Sequence, residues 1–318
     1  MNSVSEYARP PEGSLFAPVD SPIGMRLALV FGNEGPEGRC PFHGLQCLHC
    51  DIGAGEGISF TPAMNSARLE FLKEYYPDVF LTVRHLVIYN YGSTFNDQEF
   101  SPQTRSNIMS FARTLPELRR ISFDSREHFV TPPRVAEMVA QLRDDQTLSI
   151  TLGLESQSEE IRMVNLKKKM SRQQVADVFA ALSTCRERTA VEMNVLFQPP
   201  GITGQDAVSE AVKTIEFGLE LMSRYGVLVD FNFHPYYPSQ KGTKAFPDHP
   251  RAMLEHAICA LIRIIRIIKE HGGGSSIFVG WNDEGHDLQP AVKKIKQLLY
   301  DPAFAAFNRS QNEADLHI

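Results

Sequence analysis

Read for periodicity, the chain alternates short apolar runs with amphipathic helical patterns at intervals of roughly thirty to sixty residues. The predicted strands are "RLALVF" (26–31), "HLVIYN" (85–90), "RRISFD" (119–124), "LSITLGLE" (148–155), "VEMNVLF" (191–197) and "VLVDFNFH" (227–234). Helix starts are marked between them by Ser101-Pro102, Thr131-Pro132, a capping box from Ser171 to Gln174, and Thr203 with Asp206 three residues on. Six strands separated by helices predict an α/β fold with a parallel sheet and right-handed crossovers.

Side-chain parity along the strands refines this. One parity carries Ser122, Asp124 and Arg126, then Ser149, Thr151, Gly153 and Glu155, then Glu192, Asn194 and Gln198, then Asp230, Asn232 and His234. The other carries Ile121, Phe123, Ile150, Leu152, Leu154, Met193, Val195, Phe197, Phe231 and Phe233. Strands of a flat sheet covered on both faces read as near-continuous apolar runs, and these do not. The pattern predicts a partial (β/α)6 barrel whose apolar face lies under helices and whose polar face lines a wet lumen. A one-sided sheet with its polar face in solvent is the alternative.

The last quarter, "MLEHAICALIRIIRIIKEHGGGSSIFVGW", holds a strongly apolar helix, a glycine hinge and one short strand. It is expected to cover the barrel's open edge or to form an oligomer surface. The division expected is an N-terminal extension (1–24), a barrel core (25–235) and a C-terminal extension (236–318), with frayed ends.

Composition is ordinary for a globular protein, 42% hydrophobic and 22% charged over 318 residues. A net charge of -6 and a pI near 5.9 argue against a broad basic face for nucleic acid. The one dense basic run, "NLKKKMSR" (165–172), reads as solvated surface. The opening "MNSVSEYARP" has no apolar h-region, and no apolar run is long enough to span a bilayer. A cytoplasmic protein without a membrane partner is expected.

Three of five cysteines fall within "GRCPFHGLQCLHCDIG" (38–53). Cys185 and Cys259 lie alone inside helical patterns and read as inert. In a reducing compartment, closely spaced thiols point to a metal or to redox chemistry. The loop follows the first predicted strand, at the carboxyl end of the sheet where barrel enzymes place their chemistry. Three readings compete: a structural zinc held by Cys40, Cys47 and Cys50 with His43 or His49; a redox pair, Cys47 and Cys50; and a [4Fe-4S] cluster on three cysteines, with one iron open to a ligand.

The C-x6-C-x2-C loop resembles the radical S-adenosylmethionine superfamily, whose commonest spacing, C-x3-C-x2-C, is three residues shorter. "YNYGSTFND", "ISFDSREHF", "TLGLESQSEEIR" and "NVLFQPPGITGQDAV" fall in the order and spacing of archaeosine synthase beta-type radical enzymes, a branch close to elongator and methylthiotransferase cores. The resemblance covers about residues 25–235. It implies that Cys40, Cys47 and Cys50 hold a [4Fe-4S] cluster and that S-adenosylmethionine chelates the open iron. It further implies that Gly92, Ser93 and Thr94 approach the methionine end, that Ser125, Arg126 and Glu155 hold the ribose or the methionine end, and that Arg162 adds a guanidinium to the carboxylate. Arg126 and Glu155 also suit a lumenal ion pair.

The resulting expectation is an enzyme that cleaves S-adenosylmethionine to a 5'-deoxyadenosyl radical and abstracts hydrogen from a small polar substrate. Asp124, Asn194, Asn232 and His234 would face that substrate, and a flavodoxin or ferredoxin would supply electrons. Two alternatives accompany it. One is archaeosine-type modification of a deazaguanine in transfer RNA, and the other is a non-catalytic zinc-binding protein. His43 and His49 read as packing groups, and Tyr236, Tyr237 and Pro238 as a turn or an aromatic wall.

Overall fold

The computed structural model describes residues 8, 18–42, 47–50, 57–236, 239–280, 294 and 296–317. Eight strands form one sheet in chain order: β1 (Val19–Ser21), β2 (Gly24–Phe31), β3 (His85–Asn90), β4 (Arg120–Asp124), β5 (Thr147–Glu155), β6 (Thr189–Phe197), β7 (Leu228–Pro235) and β8 (Ile277–Val279). The pairs from β2 to β8 are all parallel, and only β1 pairs antiparallel, with β2. The six predicted strands are therefore present, and β8 is the short strand expected in the last quarter. β1 was not predicted because three residues give no readable period.

Helices cover the apolar face: α1 (Pro62–Tyr75) and α2 (Pro77–Thr82) before β3, α3 (Pro102–Thr114) before β4, α4 (Pro132–Val139) before β5, α5 (Arg172–Ser183) before β6, and α6 (Gly204–Tyr225) before β7. Ser101 Oγ accepts from the Thr104 amide at 3.3 Å, and Ser171 with Gln174 makes the full capping box. Thr203 is the N-cap of α6 but makes no side-chain cap bond. Ile121, Phe123, Ile150, Leu152, Leu154, Met193, Val195, Phe197, Phe231 and Phe233 are all fully buried in one cluster with residues of these helices, as the parity requires.

After β7 come α7 (Gln240–Ala245), α8 (Leu254–His271) and, following β8, α9 (Asp301–Ser310). The last of these closes the seam between the sheet's two edges. The Asn308 side chain bonds both the amide and the carbonyl of Val279, at 2.8 and 3.1 Å, while Arg309 pairs with Asp20 of β1 at 2.7 Å. The strongly apolar α8 packs instead on α6, so the contacts across the seam come from α9.

The polar parity turns inward, and its amino-terminal half is filled. Glu192 accepts from His85 Nε2 at 2.5 Å, from Ser122 Oγ at 2.7 Å and from Asn232 Nδ2 at 3.2 Å, with Arg26 at 3.7 Å. Arg120 pairs with Asp230, which also accepts from the Ser276 amide at 2.7 Å. The bonds of Glu192 to His85, Ser122 and Arg26, and of Arg120 to Asp230, cross the lumen between strands that are not neighbours, so they form a polar floor. Burial acts to raise the Glu192 pKa, but His85, Arg26 and Arg120 overcome it and hold the carboxyl well below the usual range.

A carboxyl with a depressed pKa contributes stability above its unfolded pKa of about 4.3 and loses it as pH falls. Glu192→Gln would leave the floor's arginines under-neutralised. It is expected to cost about 3–5 kcal/mol, and the difference from the parent should shrink between about pH 5 and pH 3. Urea melts at several pH values check both the size and the sign.

Candidate active site

The carboxyl ends of β3, β4, β5 and β7 converge at the other mouth of the lumen, and three loops interlock there. After β3, a Cβ on Gly92 would collide with Glu99 Oε2 and Asn33 Nδ2, so any side chain here would displace that carboxylate. The Ser93 amide donates to the same Glu99 oxygen at 3.0 Å. Thr94 Oγ1 and its amide both donate to the Asp124 carbonyl, at 2.5 and 3.0 Å, and the Arg126 amide donates to Ser93 Oγ at 3.2 Å. Gly92, Ser93 and Thr94 are thereby knitted to Asp124, Ser125 and Arg126.

Glu155, at the end of β5, is buried and in the left-handed region with φ 72°, next to a register shift in the β5–β6 pairing. Its Oε1 accepts from Lys168 Nζ at 2.7 Å and lies 3.4 Å from His49 Nε2. Its Oε2 makes no hydrogen bond and faces His234 Nε2 at 3.6 Å. Burial alone would raise the Glu155 pKa, but Lys168 first, and then His49 and His234, hold it well below the usual range.

Arg126 does not pair with Glu155. Its Nε donates to Glu127 at 3.0 Å, its Nη2 to the Lys168 carbonyl at 3.1 Å, and its Nη1 points at Cys47 Sγ, 3.9 Å away. The guanidinium lies over the Phe42 ring at 4.6 Å. The lumenal ion pair suggested for Arg126 and Glu155 is replaced by two pairs, Arg126 with Glu127 and Glu155 with Lys168.

None of the five cysteines forms a disulfide. Cys185 and Cys259 pack against the core. Burial pushes the Cys40 thiol up to about 11, with Glu99, Cys47 and Cys50 adding to the shift. Cys47 has φ 55°, and its amide donates to the Lys167 carbonyl at 3.4 Å. His43 lies outside the described residues, as do Tyr237 and Pro238. Tyr236 is buried edge-on against His249.

Arg162 is fully buried, and its Nε and Nη1 donate to the carbonyls of Met170 and Ser156 at 2.9 and 2.6 Å. It therefore braces the loop after β5 and does not join the cluster around Glu155. Lower in the lumen, Asp124 Oδ1, Ser149 Oγ and Thr151 Oγ1 are buried without a hydrogen-bond partner. Burial raises the Asp124 pKa well above the usual range, with Glu99 adding to it. Asn194 Oδ1 accepts from Asn232 Nδ2 at 3.1 Å, which places this pair on top of the floor. Sequence reasoning missed Lys168, Glu99 and the floor partners His85 and Arg26.

This architecture has a solved counterpart. Streptococcus suis SuiB, crystallised bound to S-adenosylmethionine, superposes with a TM-score of 0.54 at 10% identity, over 82% of this chain and 51% of that one. The two proteins share the barrel fold. No protein-family model matches the chain. Among curated proteins it is 26% identical over 215 residues to an uncharacterized protein of Methanocaldococcus jannaschii, covering 64% of the chain and 56% of that protein. It is 22% identical over 129 residues to the archaeosine synthase subunit beta of Methanosarcina acetivorans, covering 41% of the chain and 36% of the relative. The chain thus matches little more than half the length of one curated relative and about a third of the other. Among the described residues, no helix is long and apolar enough to cross a membrane.

Proposed function

We propose that the chain is a radical S-adenosylmethionine enzyme acting on a small polar organic substrate. The observation that carries this reading is the thiol loop, which sits at the mouth of a SuiB-like barrel beside a buried carboxylate and over a lumen with unpartnered polar atoms. Three cysteines in one loop, with no fourth cysteine in it, suit a four-iron cube that leaves one iron open to a ligand, and this supports the cluster reading.

When bound, the cluster and S-adenosylmethionine would supply one-electron cleavage to a 5'-deoxyadenosyl radical that takes a hydrogen atom from the substrate. Cys40, Cys47 and Cys50 would hold the cluster, and a flavodoxin or ferredoxin in the cytoplasm would deliver the electron. Glu155 Oε2 has capacity to accept from ribose hydroxyls. Lys168, His49 and His234 around this single carboxylate leave room for a second negative group, such as an amino-acid carboxylate. Gly92, Ser93 and Thr94 close one wall, and Ser125 and Arg126 another.

Asp124, Asn194, Asn232 and His234 would face the substrate. Burial, with Glu99 adding to it, raises the Asp124 pKa and so favours the neutral carboxyl, a hydrogen-bond donor instead of a counter-charge. Asp124→Asn keeps a neutral donor of the same shape, whereas Asp124→Ala removes it. Asn is expected to hold substrate turnover within about tenfold of the parent, and Ala to lose about a hundredfold or more. Both should keep uncoupled S-adenosylmethionine cleavage. Equal loss in both variants would show that the carboxylate form is required.

The archaeosine synthase match supports a second reading, modification of transfer RNA. Of the three lysines in the basic run, Lys167 and Lys169 are exposed and Lys168 is buried, which weakens it. Transfer RNA binding that survives about 200 mM salt would favour this second reading.

A further inference from the structure

The segment after β5 has a structure that its three consecutive lysines do not suggest. A π-helix (Glu160–Asn165) leads into residues 166–170, where Lys167 and Lys169 are left-handed with φ 53° and 51°. Non-glycine residues rarely adopt that conformation, and two flanking one residue turn its side chain inward at a conformational cost. Lys168 is 7% exposed, and its ammonium donates to Glu155. A Cβ on Gly153 would run into Lys168 Nζ and lie 2.7 Å from Glu155 Oε1, so the end of the lysine lies in the gap left by a residue without a side chain.

The same segment supplies three carbonyls to the mouth. Leu166 O accepts from the Leu48 amide at 2.9 Å, Lys167 O from the Cys47 amide at 3.4 Å, and Lys168 O from Arg126. The Lys168 amide in turn donates to the Arg162 carbonyl at 2.8 Å. On its far side, the Leu48 carbonyl accepts from Ser239 Oγ.

We propose that Lys168 is a positioning residue: its ammonium anchors residues 166–169 to Glu155 through the gap at Gly153, and those residues hold the Cys47–Cys50 turn and Arg126 in place. This strap sets the thiol turn relative to the β5 carboxylate from one side, while His49, 3.4 Å from the same carboxylate, and Ser239 on Leu48 meet the turn from others. Its effect on the thiols does not depend on which metal they hold, while its effect on cofactor binding rests on the function proposed above.

Metal-free, full-length protein tests it through iodoacetamide labelling of each cysteine, read by mass spectrometry. Lys168→Met removes a charged hydrogen bond and should speed alkylation of Cys47 and Cys50 about tenfold, with Cys185 and Cys259 unchanged. Lys168→Arg, which can still reach Glu155, should restore most of the protection. Gly153→Ala blocks the gap without altering any charge, and should loosen the same two thiols although it lies on a different element. If Lys168→Met also exposes Cys185 and Cys259, the chain has unfolded and Gly153→Ala decides. Rates of Cys47 and Cys50 within twofold of the parent in Gly153→Ala, and in a folded Lys168→Met, would overturn the proposal. On reconstituted protein, Lys168→Met should weaken S-adenosylmethionine binding about tenfold, again with rescue by Arg. Failure of the parent to assemble a cluster would sink the proposed function and leave the alkylation result standing.

Discussion

Changing Cys40, Cys47 and Cys50 together to alanine is expected to abolish iron and sulfide uptake, where the anaerobically reconstituted parent should bind about four of each per chain. In the function proposed above, these three thiols would be the cluster's protein ligands. Cys185→Ala and Cys259→Ala should leave the iron content unchanged, because both residues pack against the core away from the mouth. The Cys40 thiol, pushed up to about 11 by burial, would have to lose its proton to ligate iron. Uptake should therefore strengthen as pH rises through the neutral range. Iron and sulfide analysis with visible spectra checks each variant. A stoichiometric zinc ion in place of iron would show the loop to be structural.

Glu155→Gln is expected to keep the cluster and to lose about ten- to a hundredfold in S-adenosylmethionine binding and cleavage. The carboxylate has three cationic or imidazole neighbours and one oxygen without a hydrogen bond. Glutamine keeps the size but carries no charge, so Lys168 would remain buried with only a neutral amide oxygen. That should also lower stability at pH 7. Because the Glu155 pKa is depressed, its ionic contribution is present above about pH 4.3 and lost on acidification. The stability gap between parent and variant should thus narrow in acid. Calorimetric titration of the cofactor, together with the iron assay, separates a weakened cofactor site from a lost cluster. Parent-like affinity in the variant would remove Glu155 from the cofactor site.

The barrel was legible because four of its strands, β4 to β7, alternate polar and apolar positions. Phe123, Leu152, Val195 and Phe233 mark the face under the helices, and Ser122, Thr151, Asn194 and Asn232 mark the lumen. Parity could not tell which polar residues seal the floor and which stay open. That depends on pairs such as Arg120 with Asp230, which are distant in sequence and meet only once the sheet curls. The surroundings of Arg162 could not be read from its position: Nε and Nη1 donate to two backbone carbonyls, and Nη2 is buried without a hydrogen bond.

Lys168 was legible in principle. Leu166, Lys168 and Met170 are buried while Lys167 and Lys169 are exposed, a period of two that a count of lysines conceals. Glu99 had no such signal, because its role comes from a loop that folds back on Gly92 and Ser93. Nor did the seam, which relies on Asn308 reaching a strand of three residues.

The most direct test of the central claim is to incubate the anaerobically reconstituted protein with dithionite and S-adenosylmethionine and to assay the products by chromatography. The account predicts 5'-deoxyadenosine and methionine in equal amounts, formed slowly without substrate and absent from the Cys40, Cys47 and Cys50 triple variant. A fully loaded, reduced cluster that yields no 5'-deoxyadenosine would contradict it.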